Sequence, residues 1–299
     1  MTGENAPPAS AGAPGPDSTG ASDHGPRLLV VGHLTEDLTP DGPRLGGAAA
    51  FAGLLAHRFG VPAAILTAVD AAFPYLDALD GIPVQRIHST HRTRFRNRQR
   101  SDGSREQTIL SRAAVIPESE IHQSVTGLPP GSAVLYVPVA NELGGTGALP
   151  RPPGRGALAG AAPQGLIRRW DAAGQVSTRW SARAFARLAG LDFVSLSEAE
   201  FPEGIELPVP LVAVTRGRHG AVLRRSGLPV VEIPASPAAE ADPTGAGDVF
   251  AAALFIGLWS AMHAESAARL AAAAAAISVE SPGTGGIPTL EEANARLIA

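Results

Sequence analysis

Two residue types are missing from the 299-residue chain. It has no cysteine, and all 24 of its basic residues are arginine, so it has no lysine either. Without cysteine, thiol nucleophiles, thiolate zinc sites and disulfides are excluded. Without lysine, the Walker-type phosphate loop, the strand lysine of protein kinases and Schiff-base chemistry are excluded as well. Any phosphate chemistry must therefore use backbone amides, arginine or a metal ion. An excess of positive charge is also absent: the formal net charge is −4, which argues against nucleic acid as a partner. The third absence is a long apolar run. "AARLAAAAAAISV" is too short and too weakly apolar to span a bilayer. The first residues lack the basic start and apolar middle of a secretory signal. The chain reads as cytoplasmic, with no membrane partner.

What is present suffices for a substantial core: 44% of residues are hydrophobic and 17% charged, which argues against global disorder. Residues 1–26 are rich in Gly, Pro, Ala and Ser and nearly free of large apolar side chains. Such a segment cannot offset its ordering entropy and is expected to be a disordered tail. Residues 27–299 form the expected folded domain. "RLLVVGHL" suits a buried parallel strand, "GGAAAFAGLLAHRFG" a helix opened by glycines and closed by Gly60, and "VPAAILTAV" the next strand. From "GIPVQRIHS" to "REQTILSRA", about residues 82–113, the pattern alternates as a half-exposed antiparallel sheet would. "SAVLYVPVA", "DFVSLS", "LVAVTRG" and "AVLRR" resume buried-strand character, with "ARAFARLAG" as a helix between them. Residues 141–163, rich in Gly and Pro, read as a long loop. The last third is expected to be helical from Val249 to about Val279, with a break near "HAES".

The stretch that carries chemistry is "DPTGAGDVF", residues 242–250. The first amides of a helix have no intrahelical partner and bear partial positive charge. A Gly-Ala-Gly turn lets other atoms approach them closely. Gly245, Ala246 and Gly247 are thus candidates for an anion hole, with Asp248 beside them in the first helical turn. A carboxylate there is a weak base in the ground state. Phosphoryl transfer tolerates this, because its loose transition state requires the acceptor's proton to leave only late. Read from the residues alone, an ordinary glycine loop with a helix-terminal charge explains the stretch equally well.

"DPTGAGDVFAAAL" resembles the C-terminal signature of the ribokinase-like, or PfkB, carbohydrate kinases. "VVGHLTEDL" with "RLGGAAAFAGLLAHRFG" is similar to that family's first strand and Gly-Gly substrate signature. "SEAE" at 197–200, "VTRGRHGAV" and "SVESPGTGGIPT" match further segments in family order, together covering roughly residues 27–290. The resemblance implies a three-layer α/β/α sandwich with a mostly parallel sheet and a small β lid, supplied mainly by residues 82–113. It implies transfer of the ATP γ-phosphate to a hydroxyl of a sugar or polyol with magnesium, a monovalent cation being a further candidate cofactor. On that pattern Asp248 is the base and Gly245–Gly247 the anion hole. Gly46 and Gly47 admit substrate to the first helix, and Asp37 grips substrate hydroxyls. Glu200 organises the magnesium ion. Ser197, Thr215, Gly217 and Gly220 lie along the nucleotide, and Arg168 is placed to reach a phosphate. A monomer or homodimer is implied.

The family's Gly-Gly-Asn-x-x-Asn pattern is "GGAAAF" here, without both amides. The form "LGGAA.F" is closest to the inositol-kinase-like branch and raises cyclitols as substrates. "APQGLIR" has Ala162 where many members of that branch carry aspartate, with Gln164 and Arg168 in place. Arginines 92, 94, 96, 98 and 100 alternate along "RTRFRNRQR". On a strand they share one face, read as solvated, and Phe95 and Asn97 on the other face are candidates to meet substrate. Two readings compete with the sugar or cyclitol kinase: a nucleoside kinase of the same fold, and a non-catalytic sugar and nucleotide sensor.

Overall fold

The computed structural model describes residues 27–99, 105–202 and 204–298. The predicted tail at 1–26 and Arg100 lie outside the described residues. In chain order the strands are β1 (Leu28–Val31), β2 (Thr35–Thr39), β3 (Gly42–Gly46), β4 (Ala63–Val69), β5 (Val84–His88), β6 (Thr93–Gln99), β7 (Arg105–Ser111), β8 (Ala133–Tyr136), β9 (Leu158–Ala161), β10 (Arg168–Trp170), β11 (Val176–Thr178), β12 (Phe193–Ser197), β13 (Leu211–Thr215), β14 (Ala221–Arg224) and β15 (Val231–Ile233). The helices are α1 (Ala48–Arg58), α2 (Glu118–Thr126), α3 (Gln164–Ile167), α4 (Ala182–Leu188), α5 (Ala246–Trp259), α6 (Ala264–Ser278) and α7 (Leu290–Ile298).

Nine strands form one sheet in the order β15-β14-β13-β12-β9-β8-β1-β4-β5. It is parallel from β13 to β5, with β14 and β15 antiparallel at one edge. The runs of β1, β4 and β8, apolar but for Thr67 and the Tyr136 hydroxyl, are buried along their whole length, as strands covered on both faces must be. Alternate residues of β1 face opposite layers. Leu28 and Val30 pack with α1, α5 and α6, and Leu29 and Val31 pack with α2 and α4.

A second sheet has four strands in the order β3-β2-β6-β7. Its two hairpins enter as insertions, one between β1 and α1 and the other between β5 and α2. β2 and β6 join them in parallel. Main-sheet order reverses at β1, with β4 on one side and β8 on the other. Ligands of open α/β sheets bind beyond the strand ends at such a reversal, and both hairpins overhang that place.

Two expectations need correction, and one hairpin was not foreseen. Residues 84–88 pair in parallel with β4 in the large sheet, so the small sheet does not run from 82 to 113. None of these residues is fully buried, as befits the strand at the sheet's edge. Residues 35–46, for which no hairpin was expected, form the other half of the small sheet. Residues 141–163 are not one loop, because β9 lies in the middle of the large sheet. Its sequence, Leu-Ala-Gly-Ala, is small because two rings press on it. A Cβ on Gly160 would lie 2.8 Å from Phe255 and 2.9 Å from Phe193.

Candidate active site

The motif at 242–248 folds as its backbone chemistry requires. Gly245 stands before α5 in the left-handed conformation (φ +83°), which glycine adopts at no steric cost. A Cβ there would fall inside the Phe51 ring. Phe51 stands where the resembled pattern has its second amide, and it supports the turn from below. The Ala246 amide closes the turn on the Pro243 carbonyl at 3.3 Å. Asp248 sits in the first turn of α5, whose next nine residues, Val249–Gly257, are all buried. The helix is thus anchored by its apolar body, and its polar N-terminus is presented to the cleft.

That cleft is a cavity of about 400 Å³. Gly245, Gly247 and Asp248 line it together with Ser197, Glu200 and Thr215, at the ends of β12 and β13, and with Gln164 and Arg168. The carboxylate of Glu200 accepts hydrogen bonds from the Ser197 amide (3.0 Å) and hydroxyl (2.8 Å), which aims it from the turn after β12. Gly217 and Gly220 lie in the β13–β14 turn, beyond the cavity wall. Among the described residues no group of three or more His, Asp or Glu could hold a metal ion by itself. Mg²⁺ is ordinarily held by one or two carboxylates together with waters and substrate phosphates, and Glu200 and Asp248 on one cavity fit that requirement.

Asp248 has a positioned neighbour. Gln164 Nε2 donates to Asp248 Oδ1 at 2.9 Å. The amide oxygen of Gln164 accepts from Arg168 Nη2, and Arg168 Nη1 donates to the Val139 carbonyl at 3.0 Å. The Arg168 guanidinium lies over the Phe95 ring, 5.7 Å from its centroid, within cation–π range. A chain of contacts therefore runs from the small sheet to the carboxylate. Phe95 is buried in that sheet. Asn97 is half-buried and accepts from Gln107 Nε2 at 2.9 Å, and Gln107 reaches the cavity wall.

Asp37 is buried on β2 and accepts from the Thr35 hydroxyl at 2.8 Å. It faces Gly46, at the end of β3; Gly47 follows and opens α1. On the other side of the sheet Glu36 pairs with Arg94 (2.6 Å) and Arg92 (3.3 Å), and Arg92 also pairs with Asp70 (2.6 Å). Arg96 and Arg98 are exposed, so the expected split into an arginine face and a Phe95–Asn97 face is present over the described residues.

The two sheets are joined by a buried polar hinge that the sequence did not reveal. Glu142 is fully buried and accepts from the amides of His33 (2.9 Å), Val139 (2.8 Å) and Ala140 (2.7 Å). The His33 ring, also fully buried, contacts the Ala114 carbonyl through Nε2 (2.9 Å) and the Thr93 hydroxyl through Nδ1 (2.7 Å). A carbonyl only accepts, so Nε2 carries the proton and Nδ1 accepts from Thr93. Arg44 and Gln107 were missed as well, because their roles depend on cross-strand register and not on local pattern.

Residues 197–290 match the family model of the pfkB family carbohydrate kinases. Among curated proteins, the ribokinase of Bacillus subtilis is 38% identical over 96 residues, covering 32% of each chain. The bifunctional protein HldE of Bradyrhizobium diazoefficiens is 39% identical over 80 residues, covering 27% of this chain. That alignment spans only 16% of the length of the HldE protein. Likeness in fold extends across the domain. A pyrophosphate-dependent kinase of the ribokinase family, solved with a pyrophosphate analogue and myo-inositol, superposes with TM-score 0.67 at 19% identity, covering 90% of this chain and 99% of that one. Arabidopsis thaliana ribokinase complexed with ribose and ATP gives 0.61 at 19% identity, covering 91% and 99%. Burkholderia thailandensis nucleoside kinase with inosine gives 0.66 at 21%, covering 90% and 97%. The fold is the ribokinase-like α/β sandwich, and its last third carries the pfkB segment.

Proposed function

We propose that this chain is a small-molecule kinase of the ribokinase-like type, moving the γ-phosphoryl group of ATP to a hydroxyl of a sugar or cyclitol. One observation carries the reading. The Gly245–Gly247 turn, Asp248, Glu200 and the strand ends bearing Ser197 and Thr215 line a single cavity; Asp37 and Phe95 are buried in the small sheet outside its lining, with Phe95 against Arg168. In this reading the acceptor hydroxyl lies beside Asp248, which takes its proton as the bond to phosphorus forms. Gln164 holds the Asp248 carboxylate in orientation through its amide hydrogen. The amides of Gly245 and Gly247 would face the transferring phosphoryl group, where fixed dipoles stabilise the charge without reorganising, while the Ala246 amide closes the turn on Pro243. Glu200, with Asp248, would hold a magnesium ion, which would supply charge neutralisation on the donor phosphates. Asp37 would accept from acceptor hydroxyls. The cytoplasm, with its ATP, suits this activity.

The test is phosphoryl transfer from ATP by the purified chain to a panel of pentoses, hexoses, inositols and nucleosides. Asp248→Asn should lower turnover on the best acceptor by about a thousandfold or more while ATP binding survives, because the amide keeps the shape but cannot take the proton. Turnover near that of the wild type would remove the base assignment. Binding without transfer across the panel would favour the sensor reading. Preference for a nucleoside would move the substrate class without moving the mechanism.

A further inference from the structure

Directly opposed residues on neighbouring strands share a face. In the small sheet Arg44 opposes Asp37, Asp37 opposes Phe95, and Phe95 opposes Ile109. One row of side chains therefore crosses all four strands on one face, and it is linked to both ends of the motif at 242–248, once directly and once through two side chains. Phe95 reaches its last residue through Arg168 and Gln164. Arg44 reaches its first: Nη2 lies 2.8 Å from Asp242 Oδ2.

Asp242 is more than a partner for Arg44. Its Oδ1 accepts from the Thr244 amide at 2.9 Å, and its Oδ2 accepts from the Gly283 amide at 3.0 Å. The main-chain amides of Ala241 and Asp242 donate to the Val279 carbonyl at 2.7 and 3.0 Å. One carboxylate thus joins the phosphate turn, the segment after α6 and the small sheet. Burial pushes Asp242 up, but its bonds to Thr244 and Gly283 and the Arg44 charge outweigh this and hold it below the usual carboxylate range. It is an anion. An anion so close to a turn that must receive a phosphoryl group would oppose that group unless a cation offset it.

We propose that Arg44 is a positioning residue that performs both tasks. It ties the small sheet to the first residue of the phosphate turn, and it cancels the Asp242 charge so that the turn favours an incoming anion. The sheet then grips both ends of the motif, and its docking sets the turn and the carboxylate of Asp248 together. This inference rests on the kinase reading for its catalytic consequence and on the geometry alone for its structural one.

The test compares the wild-type chain with Arg44→Ala and Arg44→Lys. Arg44→Ala should lower kcat about tenfold or more, the scale on which a slightly misplaced group costs rate, and should weaken the donor KM more than the acceptor KM. Arg44→Lys should recover part of kcat, and added guanidinium ion at millimolar concentration should raise the rate of Arg44→Ala but not of the wild type. Hydrogen exchange of the amides at 244–249 should quicken in Arg44→Ala while those of β1 and β4 hold, a local opening and not a global one. Wild-type kcat and unchanged exchange in Arg44→Ala would overturn the proposal, and so would lost kcat that neither lysine nor guanidinium restores at an unchanged melting temperature. If the wild-type chain transfers phosphate to no acceptor, the kinase reading fails, and the exchange comparison still decides whether Arg44 holds the turn.

Discussion

The two sheets are held by different forces. The central strands β1, β4 and β8 of the nine-stranded sheet are buried from end to end between two apolar layers. The four-stranded sheet has ion pairs on its outer side, a row of polar and aromatic side chains on its inner side, and a hinge made of a histidine, a threonine and a buried glutamate. Apolar contact is non-directional and tolerates small shifts. Hydrogen bonds and ion pairs fix geometry and respond to protons and salt. The large sheet therefore determines whether the chain folds. The small sheet determines how the cleft above Asp248 is arranged.

A core substitution on α5, where it packs against the large sheet, is the strongest way to break this contrast. Phe255 is fully buried and packs on Phe193 with ring centroids 6.1 Å apart, over Gly160. Phe255→Ala is expected to cost about 3–5 kcal/mol, from lost transfer free energy and the cavity left behind. A fall in Tm of roughly 10 °C should follow for a domain of this size. Turnover per folded molecule should change far less. Calorimetry beside an active-site-normalised assay checks both halves. A Phe255→Ala chain that melts normally would show that the small sheet also carries global stability.

The smaller test lies on the inner row. Phe95→Leu keeps an apolar, buried side chain but removes the ring face beneath Arg168. Cation–π contact is worth about 0.5–2 kcal/mol, so kcat/KM should fall about tenfold as the Arg168–Gln164–Asp248 chain loosens. The volume change costs under about 1.5 kcal/mol of stability. Steady-state kinetics and a thermal melt on the same preparation separate the two. A large loss of stability with intact kinetics would make Phe95 a packing residue only.

What could be read from the sequence follows the same division. The parallel strands were legible because burial on both faces leaves continuous apolar runs, as in "RLLVVGHL" and "VPAAILTAV". The turn at 242–248 was legible because its geometry is local: Gly245 takes a positive φ against the Phe51 ring, and Asp248 follows in the first turn of α5. The 35–46 hairpin was not, because Thr35, Glu36 and Asp37 carry polar side chains whose burial depends on partners far along the chain, and "TPDG" reads as a turn. β9 was missed because Leu158–Ala161 is small where neighbouring rings intrude, so it lacks the bulk by which strands are recognised. The grip of Arg44 on Asp242 and of Glu142 on three amides exists only once the two sheets are placed together.

The smallest predicted effect concerns the hinge and is a dependence on pH. Burial lowers the pKa of His33, partly opposed by the nearby Glu142 carboxylate and the Ala114 carbonyl, while Arg112 adds to the lowering. In the unfolded chain a histidine takes up its proton near pH 6.5. Below that value the unfolded state binds a proton that the folded state does not, so stability must fall as pH falls, and it stops falling only once the pH is below the folded pKa. The limiting slope is about 1.4 kcal/mol per pH unit for one proton. Between pH 7.5 and 5 the wild-type chain should therefore lose stability on acidification. Over the same range His33→Gln should lose less, because an amide can still donate to Ala114 but does not titrate. Denaturant unfolding of both chains at four or five pH values gives the two slopes. Equal slopes would mean that the hinge opens to water and takes up its proton while the large sheet stays folded. The junction of the two sheets would then be the weakest point of the molecule, and amide exchange at Thr93 and Ala114 should show it opening at acid pH well before β1 and β4 exchange.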